Sequence, residues 1–203
     1  DQDSNNSIII VLGANNLLSP ADIDAASAGI AACKLIVLQL EVPLETVYAA
    51  IDFGNAHGIP VLLNPAPAHP DLAIERVQGC PYFMPNETEL ALLTGMPVET
   101  VEQIKEAAQV LLDKGVKDVI VTMGSRGALW TNSAMTMEIP AVRVEARDTT
   151  GAGDAFIGCF SHYLVESGDV EHALSMASKY AADSVTKLGT QSSYATKEEF
   201  TQA

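Results

Sequence analysis

Short aliphatic runs alternate along this chain with longer stretches in which apolar side chains recur every three or four positions. Ile8 to Leu12, Leu35 to Leu40, Pro60 to Leu63, Tyr82 to Met84 and Val119 to Thr122 are largely apolar runs of strand length. Runs apolar on both faces belong to a sheet covered by helices on each side. Ser19-Pro20-Ala21-Asp22 combines an N-cap, a proline at the first helical position and an acid at the third, and predicts a helix to about Ala32. A second helix is expected from Leu44 to His57, closed by Gly58, and a short one near Leu72 to Val77. Asn86 caps the next, which stops at Gly95, and Val101, Ile104, Ala108 and Leu111 form the stripe of another that Gly115 ends.

After Gly127 the period changes. Ala128 to Thr131, Met135 to Glu138 and Val142 to Val144 read as short antiparallel strands joined by turns. Two long helices, about Ala152 to Glu166 and Val170 to Lys187, and a short one from Thr196 complete the pattern. The order predicts an α/β fold of three layers, α/β/α, with a largely parallel central sheet, in one domain over residues 1–203.

Composition narrows the chemistry. Apolar residues make up 48% of the 203 and aromatics only 5%, so the core is expected to be Ala, Val, Leu and Ile. A formal charge of −15 argues against a nucleic-acid or anionic-membrane partner, since both need clustered Lys and Arg. An anionic ligand would then be held by local amides and dipoles. Cys33, Cys80 and Cys159 are scattered, which speaks against a disulfide framework or zinc site and for a reducing, cytoplasmic setting. No apolar run reaches membrane-spanning length, no signal peptide is evident, and the start at Asp1 without Met reads as a cut.

In sheets of this kind ligands sit beyond the carboxyl ends of the strands. The loops after Leu40, Leu63, Met84 and Met123 and the turn at Asp148 are therefore the places to search. Asp148-Thr149-Thr150-Gly151-Ala152-Gly153-Asp154 is the most informative of them. Two glycines let the backbone approach a ligand, and the helix that follows points free amides and its positive dipole end at one spot, as an anion requires. Asp154 beside such a spot can take a proton from an attacking group. It can equally be a dipole-stabilised acid in a first helical turn. Glu41, just past a strand, suits a hydroxylated ligand or is a solvated acid. Asn64-Pro65-Ala66-Pro67-Ala68 is a stiff turn bordering the cleft. Asn86 and Glu89 have capping-box spacing, and could also organise hydrated Mg²⁺ near phosphates. Thr122-Met123-Gly124-Ser125-Arg126-Gly127 is either a plain turn or a nucleotide-holding one. His57, His69, His162 and His172 have no partner at metal or triad spacing.

Taken together, these segments resemble the PfkB-type, ribokinase-like carbohydrate kinases. Asp148 to Asp154 with Phe156 and Gly158 is similar to the family's second signature. Gly13-Ala14-Asn15, Gln39-Leu40-Glu41, Asn64 to Ala68, Pro85 to Glu89 and Gly124 to Gly127 follow in the family's order. The resemblance implies a ribokinase-like fold and ATP-dependent phosphorylation of a sugar's primary hydroxyl. Ribose stands first as substrate, with deoxyribose or another sugar as alternatives. It implies that Asp154 is the base, that the amides of Gly151, Ala152 and Gly153 form an anion hole, and that Glu41 contacts the sugar. Asn86, Thr122, Met123, Gly124, Ser125, Arg126, Gly127 and Ser178, with Gly153 and Asp154, would border ATP. Glu89 would place Mg²⁺ through water. Asp148, Thr150, Ser184, Lys187, Gly189 and Ser193 would surround a monovalent cation, K⁺, partly through carbonyls.

The chain departs from the family in length. Members carry about a hundred further N-terminal residues, holding other sugar contacts and most of a lid through which full-length members often form homodimers. The chain is thus expected to be N-terminally truncated, and to bind nucleotide weakly and turn over poorly by itself. The rival of another class is an inactive nucleotide-binding or interaction remnant.

Overall fold

The computed structural model describes residues 11–202. Its elements run in chain order as α1 (Pro20–Ala25), α2 (Ser27–Ile30), β1 (Ile36–Leu38), α3 (Leu44–His57), β2 (Val61–Leu63), α4 (Ile74–Val77), β3 (Tyr82–Phe83), α5 (Glu87–Thr94) and α6 (Val101–Asp113). They continue as β4 (Asp118–Thr122), β5 (Ala128–Asn132), β6 (Thr136–Ile139), α7 (Ala152–Ser167), α8 (Val170–Ser184) and α9 (Lys197–Gln202). The six described strands form one sheet in sequential order. β1 to β4 pair in parallel, and β4-β5-β6 form an antiparallel meander.

Period-2 alternation sorts the strand side chains into two layers. Val61, Leu63, Phe83, Val119, Val121 and Leu129 point to one face and join residues of α3, α4 and α6, such as Val47, Val77 and Ile104. Leu62, Met84, Ile120, Ala128 and Ile139 point to the other and meet Phe156, Phe160, Ala173 and Leu174 of α7 and α8. Helices thus cover both faces of a mostly parallel sheet, as the pattern of residues requires.

Four expectations need correction or limitation. The helix expected from Pro20 to Ala32 breaks at Ala26 into α1 and α2, neither of which has a buried residue. The Ser19 amide still donates to the Asp22 carboxylate at 2.8 Å, so the helix starts where the sequence marks it, although no residue of α1 or α2 beyond that start is fully buried. Val142 to Val144 does not form a strand: β6 stops at Ile139, and Val142 and Val144 remain 42% and 43% exposed with no ladder partner among the described residues. α8 ends at Ser184 rather than Lys187, and the chain turns at Val185 to meet the Asp148 segment. Of the strand expected over Ile8 to Leu12, Ile8 to Ile10 lie outside the described residues, and Val11 and Leu12 are not in a strand.

Candidate active site

The carboxyl ends of the parallel strands share one edge. Register carries that edge across the meander, with Thr122 opposite Ala128 and Ala128 opposite Ile139, so β6 ends level with β4. Ser178 of α8 donates its hydroxyl to the Pro140 carbonyl at 3.1 Å, just past β6. The second half of α8 therefore lies at this edge, and so does the N-terminus of α7, which packs along α8 as its helical-hairpin partner. All the loops singled out by sequence converge here.

The loops after β1, β2 and β3 are laced together. Asn64 donates its amide N–H to the Leu38 carbonyl at 2.9 Å and its side-chain Nδ2 to the Met84 carbonyl at 2.8 Å. Leu40 donates to the Ala66 carbonyl at 2.9 Å. Asn64 is nearly buried, and its side chain spans two loops, a role that the proline-rich motif around it did not disclose. Glu41 follows on the surface, exposed to solvent.

Asn86 and Glu89 close on each other. Asn86 Oδ1 accepts the Glu89 amide at 2.9 Å, while the Asn86 amide and Nδ2 donate to the two Glu89 carboxylate oxygens, each at 2.8 Å. This is the capping box read from the sequence. It also leaves a buried carboxylate at the cleft edge. Burial pushes the Glu89 carboxyl above its ordinary value, opposed in part by the Asn86 amide. Asn86 is linked onward by an isolated bridge to Thr122.

The turn after β4 is shaped by close approach. Gly127 has φ +93°, and a Cβ there would fall 2.0 Å from the Ile139 carbonyl oxygen. Met123 donates to the Gly127 carbonyl at 2.8 Å, closing the loop around Gly124 and Ser125, both exposed. Arg126 turns back to α5: it pairs with Glu87 and donates to the carbonyls of Glu99 and Val98 at 2.7 and 3.3 Å. Its guanidinium thus braces the segment between α5 and α6.

The Asp148 turn is held from both ends. Asp148 Oδ1 accepts the Thr150 amide and Oδ2 the Gly189 amide, both at 3.0 Å. These donors hold the Asp148 carboxyl below the usual carboxylate value, Thr150 contributing most. The amides of Arg147 and Asp148 both reach the Val185 carbonyl, at 2.7 and 3.2 Å. Gly151, with φ +81° and ψ 1°, sits left-handed at the N-cap of α7. The Ala152 amide contacts the Thr149 carbonyl at 3.2 Å. Among the described residues, the amides of Gly153 and Asp154 donate to no backbone carbonyl, and both residues are exposed. Two free donors and a dipole end therefore face outward beside the Asp154 carboxylate.

Thr150 and Gly189 meet through Asp148. The hydroxyls of Ser184 and Ser193 are buried and donate locally, to the Ala181 and Thr190 carbonyls at 2.8 and 2.6 Å. Lys187 pairs with Asp183 at 2.7 Å. Among the described residues no cluster of three or more His, Cys, Asp or Glu could hold a metal ion. An ion in this corner would need hydroxyl and carbonyl oxygens, the donor chemistry of a large monovalent cation. Likewise no described helix is long and apolar enough to cross a membrane.

Tyr194 was not foreseen. Its hydroxyl donates to the Gly151 carbonyl at 3.0 Å, from a residue 43 positions along the chain. Burial, with the nearby Asp154 and Tyr180 adding to it, raises its phenol above the ordinary value. Only its place directly after Ser193 hinted at such a contact.

Residues 1–197 match the family model described as pfkB family carbohydrate kinase. A protein of Salmonella typhi named deoxyribokinase is 58% identical over 199 residues, which cover 98% of this chain and 65% of that protein. A ribokinase structure from Thermotoga maritima superposes with a TM-score of 0.87 at 35% identity, covering 100% of this chain and 66% of that one. An Arabidopsis thaliana ribokinase complexed with ribose and ATP gives a TM-score of 0.87 at 30% identity, covering 98% and 64%. The chain thus spans about two thirds of the length of these relatives.

Proposed function

Because the chain belongs to the pfkB family of carbohydrate kinases, we propose that it forms the phosphoryl-transfer centre of an ATP-dependent sugar kinase, with residues 1–203 contributing to one kinase domain. The observation that carries this reading is the N-terminus of α7. A left-handed Gly151, the unsatisfied amides of Gly153 and Asp154, and the Asp154 carboxylate converge at the carboxyl edge of the sheet. That is what in-line transfer asks of a protein: donors aimed at the charge developing on the transferred group, and a base at the attacking hydroxyl.

Asp154 takes the proton of the sugar's primary hydroxyl as that oxygen attacks the γ-phosphorus and the bond to the β-phosphate oxygen breaks, so that ADP leaves. The amides of Gly151, Ala152 and Gly153 receive the phosphoryl oxygens, Ala152 exchanging its long contact to Thr149 for the ligand. Asn86 and the Thr122 to Gly127 turn border the nucleotide, with Arg126 supporting that turn from behind and Ser178 fixing α8 on the adenine side. Glu41 contacts the sugar. Glu89 fits a hydrated Mg²⁺, since its carboxylate is fixed by Asn86 and keeps lone pairs free; the ion would neutralise phosphate charge. Asp148, Thr150, Ser184, Lys187, Gly189 and Ser193 would hold K⁺ through oxygens. ATP as donor is supported by the Arabidopsis complex. The unpaired thiols of Cys33, Cys80 and Cys159 fit a cytoplasmic setting.

The acceptor is deoxyribose ahead of ribose. This reverses the order drawn from sequence, and the 58% identity to a protein named deoxyribokinase is the reason. The test is ADP release by the full-length protein with deoxyribose, ribose and fructose, with and without K⁺. A higher kcat/KM for deoxyribose is expected. Failure to release ADP with any sugar would discard the kinase reading, and a preference for ribose would restore the first order.

A further inference from the structure

Two long-range contacts lock the 189–194 loop over the 148–151 turn. The Gly189 amide meets Asp148 on the near side, and the Tyr194 hydroxyl meets the Gly151 carbonyl on the far side, each at 3.0 Å. The second contact falls on the peptide where the chain passes from a left-handed residue into a helix. The Gly151 carbonyl already accepts the first helical bond, from the Ala155 amide at 2.9 Å, so the phenol is its second donor. A carbonyl oxygen has two lone pairs, and both are used here.

The fit around Gly151 is close. A Cβ on Gly151 would lie 2.6 Å from the Tyr194 hydroxyl oxygen, so this side of the turn is filled by the phenol. The phenol is itself supported. Tyr180 lies beside it with ring centroids 6.4 Å apart, donates its own hydroxyl to the Ala195 carbonyl at 2.8 Å, and is backed edge-on by Phe200 at 5.0 Å. Glycine adopts either sign of φ at similar cost, so Gly151 alone does not fix the direction of the amides that follow it. Something outside the turn must.

We infer that Tyr194 is a positioning residue for phosphoryl transfer: its hydroxyl holds Gly151 left-handed and so fixes the direction of the amides from Ala152 to Asp154. It touches neither substrate nor the transferred group and acts through the Gly151 peptide. The inference rests on the reading of this turn as an anion hole. It goes beyond that reading in assigning the orientation of the hole to a residue on a different loop, the one that also carries Gly189 and Ser193.

The test is Tyr194→Phe in the full-length protein, which keeps the ring and removes the donor. Loss of one hydrogen bond of this kind corresponds to about a three- to tenfold effect on an equilibrium or rate. The expected result is kcat lowered about three- to tenfold, with KM for ATP and sugar within about twofold, because the bond matters most when charge develops in the hole. Amide exchange at Ala155 should quicken by a similar factor, since that amide shares the Gly151 carbonyl. A structural role alone would lower the melting temperature and leave kcat per folded molecule unchanged, and that outcome overturns the inference. Unchanged exchange at Ala155 also overturns it. The exchange measurement needs no turnover, so it judges the brace even where the parent protein shows no kinase activity, a result that would instead count against the proposed function.

Discussion

Asp148 and Gly189, 41 positions apart in the chain, are joined by a hydrogen bond of 3.0 Å from the glycine amide to the aspartate carboxylate. The bond ties the segment before α7 to the segment after α8, so the two ends of this helical hairpin meet at one point. Asp148→Asn keeps the side chain's shape but leaves only one of its two acceptor oxygens. Misplacement of a positioning turn by about 1 Å can cost about a hundredfold in rate. The expected outcome is a fall in kcat of at least about tenfold, with a higher K⁺ requirement, read from initial rates over a KCl series.

The same carboxylate gives a pH signature. Its amide donors depress its value below the ordinary 3.8, so its contribution to stability is present above that value and is lost as pH falls through the depressed one. Melts of the parent between about pH 5 and pH 2 should therefore lose more stability than melts of Asp148→Asn. Parallel curves would show that the donors do not favour the charged form.

Asp154→Asn should abolish proton removal while leaving the turn in place. A loss of roughly 10²- to 10⁴-fold in kcat is expected for a general base. ATP binding by calorimetry should stay within a few fold. Retained turnover would remove Asp154 as the base.

Gly127→Ala tests the approach of the β4–β5 turn to the end of β6. The new Cβ meets the Ile139 carbonyl, at 2.0 Å before any adjustment, and the residue must also keep φ +93°. A loss of about 2 kcal/mol or more is expected from the strained backbone alone, measurable by urea unfolding. Gly124→Ala meets nothing within 4 Å and keeps only the cost of φ +54°, so it should be clearly milder.

Arg126→Ala should act on the turn at residues 122–127, the proposed nucleotide border, more than on the fold. Its partners Glu87, Val98 and Glu99 lie on or after α5, and both charged side chains remain partly exposed, which keeps the ion pair's own contribution to about 1 kcal/mol or less. The expected result is a several-fold higher KM for ATP with nearly unchanged melting. A large drop in melting temperature would instead make Arg126 chiefly a structural strut.

Local pattern made much of this fold legible. The uninterrupted apolar run Val119-Ile120-Val121 showed a strand buried on both faces, and the structure sends Ile120 to one layer and its neighbours to the other. Asn86 and Glu89 marked a helix start because a capping box closes within three residues. What failed was also local. Val142-Arg143-Val144 alternates like a strand, but alternation says nothing about a partner, and past Pro140 there is none among the described residues. Ala21 to Ala32 has helix-forming residues but too little apolar surface to bury, so the helix breaks. The site was visible as separate loops. The contacts that assemble it, Asp148 with Gly189, Tyr194 with Gly151 and Asn64 with Met84, join residues 20 to 43 positions apart and leave no periodic trace.

The sequential strand order has a consequence for assembly during synthesis. From β2 onward each described strand pairs with the described strand made just before it, so the sheet can extend strand by strand as the chain leaves the ribosome, with no later strand inserted between two earlier ones. Gly189 and Tyr194, made after all six described strands, dock back onto Asp148 and Gly151. The turn at residues 148–151 is therefore shaped after the six described strands already stand.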